Sequence, residues 1–156
     1  MTTTELLNTM IDRASNDGLP DLAEILACTL NLDDAPELPL AVGQVAELLN
    51  MSSHTLRYYE RIGLVTVDRT SSGHRQYDLE AIGRVLFITR LRLSGMSISD
   101  ITDYIALVET GDSTVDERLA LLCRHRDKIR RQLEELKFTM AVIDYKITVY
   151  GGTRSD

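Results

Sequence analysis

No proline or glycine interrupts the 36 residues from Val115 to Tyr150, and this run constrains the fold more than any other stretch. Val115, Leu119, Leu122, Ile129, Leu133, Leu136, Met140, Ile143, Ile147 and Tyr150 recur at alternating spacings of four and three, with Arg126 in the one polar slot. That period puts all of them on one narrow seam of a helix about 54 Å long. A helix folded along its own N-terminal domain would carry a broader apolar face. A small domain cannot cover such a rod, so the seam needs a second helix. A homodimeric coiled coil through Val115 to Ile147 is the expected arrangement, with Thr114-Val-Asp-Glu117 read as a capping box at its start.

The second constraining stretch is Met51 to Tyr77. Ser52 offers a hydroxyl to a helix start, Gly63 suits a left-handed exit, and a helix from Ser53 to about Ile62 is expected between them. Arg57 and Arg61 lie four apart and so share one face, with Tyr58 beside them and His54 a turn before. Leu56 and Tyr59 fall on the opposite side, where they can be buried. A short basic helix with one packed side suits a major groove. Next, Val65-Thr-Val67 and the residues from Asp68 to Tyr77 read as two β segments around a polar turn, with Arg69 on one arm and Arg75 on the other. Such a hairpin can hold phosphates, which fix register, while the helix reads base edges.

Three segments carry a resemblance: Val42-Gly-Gln-Val-Ala-Glu-Leu-Leu49, Thr55-Leu-Arg-Tyr-Tyr-Glu-Arg-Ile-Gly-Leu64 and Ser72-Gly-His-Arg-Gln-Tyr77. Together they resemble the MerR family of bacterial transcription regulators, over about Leu38 to Tyr150. The resemblance implies a mostly α protein: a winged helix-turn-helix domain, then a long antiparallel coiled-coil dimerisation helix. It implies contact with double-stranded promoter DNA through Ser52, His54, Thr55, Arg57, Tyr58, Arg61, Arg69, His74, Arg75 and Tyr77, the last clamping phosphate with the wing arginines. The turn from Arg92 to Ser97 would belong to a second wing. It further implies a homodimer that bends and untwists a promoter so that RNA polymerase can engage. Gly95-Met-Ser-Ile98 and Glu117-Arg-Leu-Ala-Leu-Leu122 look most like the branch answering aldehydes or nitrosative stress. That branch often has a cysteine where this chain has Arg90, so its usual sensor is missing and the small-molecule effector is unknown. An alternative is an effector-independent architectural protein similar to the excisionases.

The first helix of the helix-turn-helix is expected from Leu40, with Val42, Val45, Leu48 and Leu49 on its buried stripe. Ala41 offers no side-chain cap, and Asn50 fits the left-handed turn. After the hairpin, Asp78 should cap a helix whose Leu79, Ile82, Val85, Leu86 and Leu93 build core, and Ser97 should cap another bearing Ile98, Ile101, Ile105 and Val108. The domain reading is therefore an acidic helical extension over 1–37, the DNA-binding domain over 38–111, the dimerisation helix over 112–150 and a tail over 151–156.

A net charge of −7 argues against a nucleic-acid partner until it is apportioned. Residues 1–37 hold eight carboxylates against Arg13 alone, so they carry the whole excess. From His54 to Arg92 there are seven arginines and four acids. That local balance is the footprint that DNA meets. No apolar run approaches the roughly 18 residues of a membrane span, and the first residues lack a signal-peptide pattern, so no membrane and a cytoplasmic location are expected.

Catalysis and metal binding find no constellation. His54, His74 and His125 are scattered, no carboxylate pair or nucleophile elbow accompanies them, and Cys123 and His125 fall on different helix faces. The expectation is no enzyme, no cofactor and no metal. Cys123 borders the seam beside Arg124, His125 and Arg126, which makes it the fallback sensor, although a small apolar side chain there is ordinary packing. Cys28 reads as packing. The extension reads as two amphipathic helices around Asn16-Asp-Gly18, solvated on their charged faces. A chain lacking residues 1–37 is therefore expected to bind duplex DNA at low ionic strength with unchanged affinity by fluorescence anisotropy. Tighter binding would show that these carboxylates compete for the basic face.

Overall fold

The computed structural model describes residues 37–153. Residues 1–36 of the acidic extension, Cys28 among them, lie outside the described residues. The chain divides into two compact units, with the boundary between Leu93 and Ser94.

The first unit opens with β1 (Leu40–Ala41), which runs straight into α1 (Val42–Leu48). This is a first departure from the sequence reading, which started the helix at Leu40. Leu40 is instead a strand residue paired with Tyr77. Ala41 is the helix N-cap and, lacking an acceptor, is served in reverse: its N–H donates to Gln44 Oε1 at 2.8 Å. α1 ends with Asn50 at φ 50°, a left-handed geometry that asparagine tolerates. α2 (Ser53–Arg61) then begins at Ser52, whose Oγ accepts from Thr55 N–H at 3.0 Å. It stops at Gly63, φ 78°, where Leu64 N–H donates to Tyr59 O and Gly63 N–H to Glu60 O. That pair of bonds is the Schellman pattern, and it satisfies carbonyls the helix would leave open.

β2 (Asp68–Arg69) and β3 (Arg75–Tyr77) follow, and the sheet runs in the order β1-β3-β2, all antiparallel. Val65 to Val67 form no strand, contrary to the pattern reading. Val65 is buried instead, which explains its β-branched character without a ladder. Thr70 N–H donates to His74 O and Gly73 N–H to Thr70 O, closing a tight turn with Gly73 at φ 85°.

α3 (Leu79–Leu93) starts where Asp78 Oδ1 accepts from Ala81 N–H. Its buried positions are Ala81, Ile82, Gly83, Val85, Ile88 and Leu91. Leu79 and Leu93 were expected in the core but are 41% and 74% exposed. Both are the terminal residues of the helix: Leu79 keeps the three-residue spacing of Ile82, Val85 and Ile88 but sits in the first turn, whereas Leu93 falls five residues after Ile88, off that stripe.

Tyr77 is the larger correction. The sequence reading gave it to phosphate, but its exposure is 0%. The reason is topological: β3 is the middle strand, Tyr77 faces the equally buried Leu40 across the ladder, and α1 and α3 both pack on β3. Its hydroxyl has no hydrogen-bond partner among the described residues.

In the second unit, α4 (Ile98–Thr110) is capped by Ser97 Oγ, which accepts from Asp100 N–H, and buries Ile101 and Ile105. Gly111 at φ 101° leads through a 3-10 turn, Asp112–Thr114, into α5 (Val115–Val149). The expected capping box at Thr114 does not form. The Thr114 hydroxyl is buried and donates instead toward the carbonyls of Leu107 and Gly111, tying the turn to the end of α4. α5 has 35 residues, so it is about 52 Å long. It ends in a second Schellman pattern, Gly152 N–H to Ile147 O and Gly151 N–H to Thr148 O. A Cβ on Gly152 would lie 2.6 Å from the Ile147 side chain, so glycine is required there. No helix among the described residues is long and apolar enough to cross a membrane.

Burial, then the negative charge of Glu60, raises the Tyr77 hydroxyl above its ordinary value of 10.0, while Arg75, Arg57 and Arg69 act to lower it. The folded state thus holds the phenol protonated beyond the pH at which the unfolded chain ionises. Its contribution to stability is complete below pH 10.0 and is lost as pH rises through the folded value. Tyr77→Phe removes both the unpartnered hydroxyl and this titration. The variant should be as stable as the parent, or up to about 1 kcal/mol more stable, at neutral pH. Its melting temperature, followed by circular dichroism, should fall less than the parent's above about pH 10.

Candidate nucleic-acid interface

α2 sorts its residues by face. Leu56 and Tyr59 are buried, at 1% and 5% exposure, while His54, Arg57 and Arg61 are exposed. Nine residues give too few hydrogen bonds for a helix to stand alone in water, so the buried pair is what holds the cationic face in place. Tyr58 is half-buried: its ring centroid lies 6.1 Å from that of Tyr59, and the Arg61 guanidinium carbon lies 5.4 Å from it. Arg61 is thereby restrained toward the N-terminal part of its own face. At the helix start, the hydroxyls of Ser52 and Thr55 lie 2.8 Å apart. Ser52 is occupied as the cap, so its remaining capacity for a partner is small.

The wing brings the other cations up. Arg69 and Arg75 face each other directly across β2 and β3. Between them and α2 stands Glu60, in the last turn of the helix. Its Oε1 accepts from Arg69 Nη2 at 2.9 Å, and its Oε2 accepts from Arg75 Nε. Arg69 Nη1 also donates to Gly73 O at 3.0 Å, so this guanidinium is fixed from two sides. His74 is exposed near the tip, with Nδ1 2.9 Å from Ser72 Oγ. One unit therefore gathers His54, Arg57, Tyr58 and Arg61 on a helix face and ties Arg69 and Arg75 to that helix. Tyr77 is left in the core beneath.

Glu60 did not register in the sequence reading. The signal was present: it is the only acid between His54 and Val67, placed among three arginines and histidines that an isolated carboxylate would weaken as a DNA surface. Only its partners, nine and fifteen residues later, explain it.

In the second unit, the seam positions Val115, Leu119, Ile129, Leu133, Leu136, Met140, Ile143 and Ile147 are all between 37% and 65% exposed, and Leu122 is half-buried. After His125, every side chain to Tyr150 is exposed except half-buried Asp144. Cys123 is a free, half-buried thiol. His125, read as one of its flanking cations, is instead buried, with Nε2 2.8 Å from Ser94 Oγ. It packs where α5 meets the turn before α4.

Residues 40–107 match the description "MerR HTH family regulatory protein", and residues 82–145 match "MerR, DNA binding". The HTH-type transcriptional regulator AdhR of Bacillus subtilis is 40% identical over 89 residues, which is 56% of this chain and 64% of that protein. The chain thus spans under two thirds of that relative's length. An HTH-type transcriptional regulator of Haemophilus influenzae is 31% identical over 108 residues, covering 69% of this chain and 80% of that protein. Among solved structures, HiNmlR, a MerR family regulator lacking the sensor domain and bound to promoter DNA, superposes with a TM-score of 0.69 at 29% identity, over 73% of this chain and 91% of that one.

Truncating Arg57, the exposed cation midway along α2, tests whether this face meets base edges, a contact worth about 1–3 kcal/mol per helix. Arg57→Ala is expected to lose its footprint on a specific duplex at moderate salt while keeping a normal circular-dichroism melt. An intact footprint would show that another face of the unit reads the bases.

Proposed function

Because the chain belongs to the MerR family of DNA-binding transcription regulators, we propose that two copies pair through α5 and bind a near-palindromic promoter element, distorting it to control transcription. In this reading residues 38–111 read DNA, residues 112–150 pair, and residues 1–37 are an appended acidic segment. His54, Arg57, Tyr58 and Arg61 enter the major groove, with Thr55 and Ser52 at the helix start against the backbone. Arg69, His74 and Arg75 hold phosphates on the flank. RNA polymerase engages the deformed promoter, and the protein works in the cytoplasm.

What carries this reading is the split character of α2: one side buried through Leu56 and Tyr59, the other presenting exposed cations beside two wing arginines. The pairing rests on α5. Eight of the nine seam positions at heptad spacing leave large apolar side chains in water along a rod that its own unit covers only at the start. Burying them against a second copy removes that cost at roughly 25 cal/mol per Å². A two-fold axis then relates the two readers, which is what a near-palindromic site mirrors. Antiparallel pairing would set the readers at opposite ends of the rod. Bending a site of that size costs a few kcal/mol or more, offset by contacts along the deformed duplex.

Sedimentation of the full chain is expected to give a dimer, and selection from a random duplex pool is expected to enrich an inverted repeat. The enriched duplex should migrate as bent in a circular-permutation assay. A monomer at micromolar concentration, or a pool with no enriched sequence, would overturn the reading.

A further inference from the structure

We propose that Glu60 is a positioning residue for sequence-specific duplex binding: its carboxylate sets both wing arginines against the recognition helix, and so sets the register in which wing and helix meet one duplex. The proposal rests on the DNA-binding reading above and goes beyond it in assigning a role to an acid.

An acid in a DNA-facing surface weakens the attraction to phosphate, so its presence in a helix among arginines needs another account. Glu60 is the most enclosed member of the group, its side chain 19% exposed against 46% for Arg69 and 26% for Arg75. Each of its oxygens takes a different strand of the wing, Oε1 from β2 and Oε2 from β3. The two arginines occupy facing positions in the ladder, where like charges repel. A single carboxylate between them leaves a net charge of one on the group and removes that repulsion. It also fixes which nitrogens remain. Arg69 is committed at both Nη1 and Nη2, to Gly73 O and Glu60. Arg75 uses Nε alone among the described residues, so its Nη1 and Nη2 are left as a fork of the kind that takes a phosphate. The Arg69 partner is exposed enough that its pair with the carboxylate adds little to folding stability. Its effect is geometric, since phosphate contacts set the register in which base contacts are read.

The test compares the full chain with Glu60→Gln and Glu60→Asp on two probes: a duplex enriched from a random pool by the parent, and the unselected pool. Glu60→Gln should bind the enriched duplex about tenfold more weakly. Its binding to the unselected pool should be unchanged or tighter, because a negative charge is gone. In an Arg75→Ala background the same substitution should cost less, because one of the two arginines through which Glu60 acts, the one with its Nη1 and Nη2 left as a fork, is absent. Should Glu60→Gln melt below the assay temperature, Glu60→Asp takes its place. It keeps the charge but is one methylene too short to meet both strands, and should lose selectivity with unselected binding unchanged. Equal losses on both probes, or an undiminished cost in the Arg75→Ala background, would overturn the proposal and leave the DNA-binding reading standing. A parent chain that enriches nothing would overturn both.

Discussion

Everything this protein presents to a partner in its first unit depends on burying one side of a nine-residue helix. A helix that short is marginal in water, because each end leaves backbone groups without partners and little length remains between them. Ser52 satisfies one orphan donor at the start and the Gly63 turn satisfies carbonyls at the end. The larger contribution is Leu56, almost wholly buried, at about 2 kcal/mol, with Tyr59 beside it. Those two side chains orient the helix, and the spacing of its cations does the rest.

Electrostatics in the wing runs against the simplest view of a DNA-binding surface. Maximal positive charge would favour any duplex at all, through counterion release that carries no sequence information. Glu60 offsets part of the positive charge here and holds two guanidinium groups at defined places. Tyr77, directly beneath, is more sharply affected by its surroundings: its phenol is enclosed by β1, α1 and α3, near Glu60, and has no hydrogen-bond partner among the described residues. One short strand, β3, thus carries Arg75 toward the surface and Tyr77 into the core.

The second unit follows a different logic. α4 and the first turns of α5 make a small packed body around Ile101, Ile105, Thr114 and His125, and beyond it the helix leaves all cover behind. Leucine, isoleucine and methionine every three or four residues form an exposed apolar seam along it. The double-glycine stop at Gly151 and Gly152 then limits how far the rod extends.

What the sequence determined by itself was whatever local chemistry dictates. The heptad period of α5, the cap at Ser52, the left-handed turns at Asn50 and Gly63, and the division of α2 into apolar and cationic sides are consequences of residue type and spacing, which act over a few residues. Five features were decided only by tertiary structure. Leu40 and Ala41 became a strand because Gln76 and Tyr77 offered them a ladder, a partnership two residues cannot announce. Tyr77 went inward because β3 took the middle of the sheet, whereas the pattern of a lone hairpin leaves its outer face free. Glu60 acquired its meaning from arginines on two later strands, and Thr114 and His125 acquired theirs from the end of α4 and from Ser94. Periodicity reports which face a side chain occupies; only the folded chain brings to that face the distant group that gives a polar side chain its role.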